Sequence, residues 1–328
     1  MIYLDPYSPH ILKAKKVHQE KSFTLIKKRV NKLSTCELKG FLDDLRINKI
    51  LTDLPINLEK HHMDLFEALP DYSIEDWNRY VLLKQIKNKD RTQGQKEIVN
   101  KYNNLTIIVG KIFKYKGGFD RKRSTYSAYD LAQALCVQTC TYCNRLYTKT
   151  VKNPNKTIRP EFDHWFPKEN YPILALSFYN LIPSCHVCNS SVKGTTIMNL
   201  DDFLHPYVDD NIDYKFSYWI KKYGRYNFSI KRIKDSKEDN TIKAFKLEEI
   251  YKTHRDEIHD LVRIKKLYSI SYLLKLKKML NKTGQKTSIE ELYRLAFGVH
   301  YNESNFHKRP LSKMKKDIIE ELKMKLDE

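Results

Sequence analysis

No apolar run in these 328 residues approaches the length needed to cross a bilayer, and even the richest stretch, Ile264 to Leu280, is broken by lysines. The N-terminus, M-I-Y-L-D-P-Y-S-P-H-I-L-K-A-K-K, lacks the charged-then-apolar pattern of a secretory leader. Cysteine is scarce too. There are six, four of them in two Cys-x-x-Cys pairs, which leaves only Cys36 and Cys136, each in a segment of helical pattern, and argues against a disulfide framework. These absences predict a soluble, cytoplasmic protein with no membrane partner. No Walker lysine motif and no G-x-G-x-x-G occur, so an ATP- or dinucleotide-driven activity has no support. His254 and His259 stand one residue too far apart for the H-E-x-x-H helix of a zinc protease, and read as lining a helix face. Negative charge is also in short supply: 60 Lys and Arg oppose 40 Asp and Glu, for a net +20 at pH 7 and a pI of about 9.4. Such a surplus favours a polyanionic partner, because each phosphate neutralised by a lysine or arginine releases counterions.

Most of the chain carries helical periodicity. Residues 1–21, short, basic and punctuated by prolines, predict an irregular arm. Apolar positions from Phe23 to about Leu51 predict two helices, Pro55 breaks the run, and Leu58 to Leu69 reads as a further helix closed by Pro70. Ser73-Ile-Glu-Asp76 has the cap and acidic first turn of a helix start, with Trp77, Tyr80, Val81 and Leu83 as its apolar face, and Ile98 to Phe113 forms another amphipathic helix. Lys114 to Arg123 (K-Y-K-G-G-F-D-R-K-R) reads first as a flexible, solvated linker and second as a phosphate-binding loop through Arg121, Lys122 and Arg123. Ser127-Ala-Tyr-Asp130 then starts a helix that leads to the first cysteine pair. Beyond Gly194, Asp201 to Asp210 is connecting structure, and Tyr214 to Trp219 with Tyr226 to Ile233 predict a hairpin around Tyr223-Gly224-Arg225. Helices follow from Phe245 to Leu280, from Ser288-Ile-Glu-Glu291, and from Ser312 to Lys325. The division expected is a helical N-terminal region, 1–125, with the basic linker at its end, a core at 126–200, and a hairpin plus helical C-terminal region at 201–328.

The stretch Cys140 to Gly194 organises the rest. Cys140/Cys143 and Cys185/Cys188 are two knuckles, each able to present two thiolates on one side of a tight turn, and together they supply a closed tetrahedral Zn²⁺ site. The 41 residues between them exceed the ~15–20 of a simple zinc ribbon, so something is inserted. Arg145 to Val151 and Arg159 to Phe166 both alternate like strands around Asn153-Pro154-Asn155, which predicts a β-hairpin. After the second knuckle, Asn189-Ser-Ser-Val-Lys193-Gly194 reads as a short helical turn ending at glycine. His186, inside the second knuckle, reads as incidental or DNA-facing.

Three needs of phosphodiester hydrolysis are met by residue types in the insert and just after the second knuckle. A base near neutral pH is supplied by His164, oxygens for a hard cation by Asp163 and an asparagine, and positive groups for the phosphate by Arg159, Lys168 and Lys193.

The order knuckle, strand with D-H-x-x-P, N-L-x-P-x-C-x-x-C-N and K-G resembles the HNH endonuclease family, over about 55 to 60 residues. The resemblance implies an α+β fold: a small ββα-metal, zinc-supported treble-clef core set within mainly α-helical N- and C-terminal regions. It implies that His164 is the general base, that Asp163 and Asn189 hold a catalytic Mg²⁺ or Mn²⁺, and that Asn180 fixes the backbone and the His ring. The Gly-Gly common after D-H-x-x-P is replaced by Lys168-Glu169-Asn170-Tyr171-Pro172, which predicts a stiffer loop. A small core within helical flanks is also similar to the HNH subunits of prokaryotic anti-phage systems such as Septu, which implies a regulatory ATPase partner. The activity expected is a metal-dependent endonuclease acting on nucleic acid, DNA foremost. The alternative is a zinc-stabilised nucleic-acid-binding module without catalysis, which would need neither Asp163-His164 nor Asn189.

Overall fold

The computed structural model describes residues 1–153, 157–194, 196–221, 225–267, 270–282, 284 and 287–324. Pro154, Asn155, Tyr223 and Gly224, expected in turns, and Lys325, the expected end of the last helix, lie outside the described residues.

The chain opens with order where an irregular arm was expected. Helix α1 runs Pro9–Val30, with proline in the first turn, where its missing N–H costs nothing. Its buried residues, Ile11, Ala14, His18, Ser22, Ile26 and Val30, recur every three or four positions, so a helical stripe made partly of polar and small residues seats it. Ahead of it, Ile2 N–H donates to Thr141 O (2.9 Å) and Leu4 N–H to Pro206 O (2.8 Å), which ties the N-terminus to the first cysteine knuckle. Of the two helices expected from Phe23 to Leu51, the first is the end of α1 and the second divides into α2 (Glu37–Phe41) and α3 (Asp44–Thr52), while the helix expected at Leu58 to Leu69 forms as α4 (Pro55–Glu67). Pro55 does not simply interrupt; it is the first residue of α4. Helices α5 (Ile74–Leu83), α6 (Gln93–Ile112) and α7 (Ala128–Leu135) begin at Ser73, Thr92 and Ser127, each with side-chain capping. Cys36 and Cys136 are exposed cap residues of α2 and α7, not interior helical positions, because the helices start and stop on them.

The expected hairpin from Arg145 to Phe166 is corrected. Strand β1 (Glu161–His164) pairs antiparallel with β2 (Leu181–Ser184), in register Glu161↔Ser184 to His164↔Leu181. Residues 145–151 contribute only single bridges, Thr139↔Tyr147 and Val151↔Ile158. The physical reason is burial: Phe162 and His164 on β1 and all four residues of β2 are buried, whereas Tyr147, Val151 and Ile158 are exposed and gain little by extending the pairing. The second knuckle leads into a π-helical turn, Val187–Lys193, with Gly194 at φ +53°.

The hairpin β3 (Tyr214–Lys221) and β4 (Arg225–Arg232) forms as expected and packs on α13 (Ser312–Glu321). Helices α8 (Lys237–Ala244), α9 (Leu247–Tyr251), α10 (Arg255–Leu267), α11 (Ile270–Lys282) and α12 (Ile289–Phe297) lie between them in sequence. One hydrophobic cluster runs from Leu4 and Ile11 through Trp165 and Leu181 to Tyr251 and Ile318, so both helical flanks pack on the same core as the knuckles. Among the described residues no helix is long and apolar enough to cross a membrane.

Candidate functional site

Cys140, Cys143, Cys185 and Cys188 converge: their sulfurs all lie within 4.8 Å of one another, and all four residues are buried. Thr141 N–H donates to Pro183 O (3.1 Å), which locks the first knuckle to the strand just before the second. Within the knuckles, Arg145 N–H points to Cys143 Sγ and Cys188 N–H to Cys185 Sγ, each at 3.4 Å. Backbone N–H groups aimed at sulfur favour thiolate, and hydrogen bonds from the neighbouring cysteines hold Cys143 well below the ordinary thiol range. Four soft, buried donors in a closed set suit a structural metal such as zinc. The elements around them are tied in: Tyr251 Oη donates to Cys143 O, and Leu311 N–H to Asn144 O.

Strand β1 sorts its residues by alternation. Glu161 and Asp163 share a face, and that face meets the π-helical turn after the second knuckle. Glu161 accepts from Asn189 Nδ2 (2.8 Å), His186 Nδ1 (2.8 Å) and Ser190 Oγ (3.3 Å). Partial burial works to raise its pKa, but the bonds from Asn189 and His186 outweigh that and hold it below the usual carboxylate range. His186, read from the sequence as incidental or DNA-facing, bonds Glu161 while its side chain stays largely exposed. Asp163 accepts from Lys193 Nζ at both oxygens (2.9 and 2.8 Å) and from Oη of Tyr142 (2.5 Å), one of the two residues between the first two cysteines. Lys193 Nζ also reaches His164 O (2.8 Å) and Trp165 O (3.4 Å). A π-helical winding brings residues about four to five apart onto one face, and here it aims Asn189 and Lys193 together at β1.

His164, on the other face, is buried. Its Nε2 lies 3.0 Å from Ala175 O, and since a carbonyl only accepts, Nε2 carries the proton and Nδ1 the lone pair. Among the described residues Nδ1 has no hydrogen-bond partner. Desolvation, aided by the charge of Lys168, lowers the imidazole pKa to about 3, so the ring is neutral at pH 7. Asn180 ties down the loop that follows: its Oδ1 accepts from Phe166 N–H (2.7 Å), and its Nδ2 donates to Phe166 O (3.1 Å) and Leu174 O (3.0 Å). That anchoring presents Ala175 O to the histidine.

A cleft of about 680 Å³ opens onto these groups. His164, Asp163, Asn189, Arg159, Lys168 and Lys193 all line it, whereas Asn180 supports it from within and Arg121, Lys122 and Arg123 lie outside its lining on the exposed surface. Lys168 pairs with Glu169 at 2.6 Å, and Arg159 is stacked over Tyr129. Lys193 is fully engaged and buried at the cleft floor. Among the lining residues that sequence reasoning missed are Glu161 and Tyr115. Glu161 could have been found from its i, i+2 spacing to Asp163 on a strand. Tyr115, from the segment read as a linker, had no local signal. Glu161, Asp163 and Asn189 give the cleft carboxylate and amide oxygens, a donor set that suits a hard cation such as Mg²⁺ or Mn²⁺. The charge of Asp163 is already met by Lys193, while Glu161 carries hydrogen bonds from Asn189, Ser190 and His186.

Two relatives are similar to parts of this chain. Protein ea31 of Escherichia phage lambda is 26% identical over 125 residues, covering 35% of this chain and 38% of that protein. Septu protein PtuB of Bacillus thuringiensis is 36% identical over 63 residues, 19% of this chain and 24% of that protein. The chain therefore spans well under half the length of either relative. No family model matches, and no solved structure matches.

Proposed function

We propose that this protein is a metal-dependent endonuclease of HNH type that hydrolyses phosphodiester bonds in nucleic acid, DNA foremost, and serves anti-phage defence. The observation that carries the reading is His164: a neutral imidazole whose Nε2–H is fixed on a backbone carbonyl, leaving Nδ1 as the acceptor at a cleft lined by both basic and acidic side chains. In the reaction, Nδ1 takes a proton from a water whose oxygen forms the new bond to phosphorus, while the bond from phosphorus to the 3′ oxygen breaks. In-line attack leaves 5′-phosphate and 3′-hydroxyl ends. Asn180 orients the base through the loop it anchors, and Arg159 and Lys168 hold the substrate's charge at the cleft rim. Asn189 and Asp163, with Glu161 beside them, would hold Mg²⁺ or Mn²⁺ once an oxygen of Asp163 is released from Lys193, and the ion would neutralise charge at the scissile phosphate. The partial likeness to Septu protein PtuB supports the defence role and a Septu-type partner protein; that this partner is a regulatory ATPase rests on the family resemblance of the sequence alone.

The test is cleavage of plasmid, single strands and RNA with Mg²⁺, Mn²⁺ or chelator by wild type and His164→Ala. General base catalysis contributes about 10²–10⁴-fold, so the variant is expected to lose at least that much while keeping its zinc and its affinity for nucleic acid. A folded, zinc-loaded His164→Ala protein that cleaves at the wild-type rate removes this mechanism and leaves the non-catalytic binding module.

A further inference from the structure

The segment Lys114–Arg123 is not a solvated strap. Its first half folds into a turn, Tyr115–Phe119, closed by Phe119 N–H to Lys114 O (3.3 Å) and Asp120 N–H to Tyr115 O (3.2 Å). The reversal needs Gly117, whose φ of +68° lies in the left-handed region that a side chain would strain. Gly118 is also constrained, since a Cβ there would sit 3.1 Å from Lys114 Cγ. Phe119 is buried against His18 and Tyr126 and anchors the turn to α1.

What the anchored turn delivers is a wall of the cleft. Tyr115 meets the His164 ring edge-on, with centroids 4.4 Å apart and planes at 81°, and Lys116 lines the same cavity as Asp163 and Asn189. His164 is thus held at Nε2 by Ala175 O and across its ring by Tyr115, which fixes the plane in which Nδ1 lies. Lys116 is exposed, and among the described residues it pairs with no carboxylate, unlike Lys168 and Lys193 in the same cleft. A cation free of an internal partner at the mouth of a site is the one available to an incoming phosphate.

We propose that this turn is the substrate-binding wall of the site. Tyr115 is a positioning residue for the His164 ring, and Lys116 binds a phosphate of the strand next to the one cleaved. The proposal rests on the nuclease reading and adds residues that the D-H and C-N motifs do not contain. An edge-on ring contact acts on geometry alone, so its loss should lower kcat with little change in KM. A phosphate contact made equally in ground and transition states should do the reverse.

The experiment measures kcat and KM on a defined oligonucleotide for full-length wild type, Tyr115→Ala, Tyr115→Phe and Lys116→Gln, with zinc content and thermal melting as controls for folding. Tyr115→Ala is expected to lose about tenfold or more in kcat, since small misplacements of a catalytic group carry such costs, with KM within about twofold. Tyr115→Phe, which keeps the ring edge, should restore kcat. Lys116→Gln should raise KM about fivefold at low salt and flatten the salt dependence of binding. The assignment is overturned if Tyr115→Ala turns over like wild type, or if Tyr115→Phe falls as far as Tyr115→Ala, which would place the function in the hydroxyl. It is equally overturned if Lys116→Gln leaves KM unchanged. A wild-type protein that cleaves nothing instead sinks the nuclease reading and this proposal with it, and is distinguishable because the fault then appears before any variant is made.

Discussion

Lys193 concentrates more consequence than any other single side chain near the cleft. Its ammonium satisfies both oxygens of Asp163 and two carbonyls at the end of β1, with no exposure to water. Removing one member of a buried pair leaves the other charge uncompensated, at a cost of about 3–5 kcal/mol. Lys193→Met is therefore expected to destabilise the fold by that order, and Asp163→Asn with Lys193→Met to cost less than the sum of the singles, which denaturant titrations of the four proteins would check. If the costs simply add, the pair is not the unit described here. Buried histidines set the acid limit. Burial lowers the pKa of His62 and His205 to about 3 and of His18 to about 4, below an unfolded value of ~6.5. The unfolded chain then binds protons that the folded chain refuses, so stability is full above about pH 6.5 and declines as pH falls toward 4. His62, with neither ring nitrogen hydrogen-bonded among the described residues and its ring against Phe66, Trp77 and Tyr171, is the cleanest case. His62→Phe should shrink the loss of denaturant midpoint between pH 7.5 and 5. A loss equal to that of wild type would assign the acid sensitivity elsewhere.

The elements legible in the sequence were those whose chemistry is local. Ser73, Ser127 and Ser288 cap their helices as read, and the cysteine spacing brought four sulfurs together because each knuckle is set by a few adjacent residues. Elements decided by tertiary partners were not legible. The inward face of α1 includes His18 and Ser22, so its stripe does not read as apolar, and β2, which pairs with β1, contains Pro183, a residue type that strands disfavour. In the site, His164, Asp163 and Asn189 could be found from short motifs, while Tyr115 reaches His164 across 49 positions of sequence, and only packing brings it there. The knuckles also carry a prediction at this scale. Thr141 and Pro183 join them through one hydrogen bond, and the N-terminus, α9 and residues around Leu311 all bond to the first knuckle, so the four cysteines stand at a junction of distant segments. Structural zinc can supply on the order of 10 kcal/mol of coupled folding energy. Cys185→Ser is expected to lose the zinc and the cooperative thermal transition together, measured by metal analysis and calorimetry, and a variant that melts like wild type would remove zinc from the account of stability.

At the scale of the whole molecule the deciding quantity is charge. A net +20 raises the local concentration of any polyanion, and the attraction is long-ranged only where salt does not screen it. The basic residues serve different ends. Lys193 is spent inside, Lys168 is shared with Glu169, and Arg121, Lys122 and Arg123 lie on the exposed surface just past the turn that walls the cleft. Residues in that last position would add phosphate contacts without entering the chemistry. Affinity for nucleic acid should therefore fall steeply with salt, with a log–log slope that counts the phosphates neutralised. Replacing Arg121, Lys122 and Arg123 together by glutamine should weaken binding and reduce that slope, while zinc content, melting temperature and the rate at saturating substrate stay near wild type. Fluorescence anisotropy across a salt series, on His164→Ala protein so that the probe stays whole, reads both quantities. If affinity is indifferent to salt, the positive surface does not face nucleic acid. If the triple variant keeps the full slope, the phosphate track runs elsewhere, and Arg159 and Lys116 at the cleft become the next residues to neutralise.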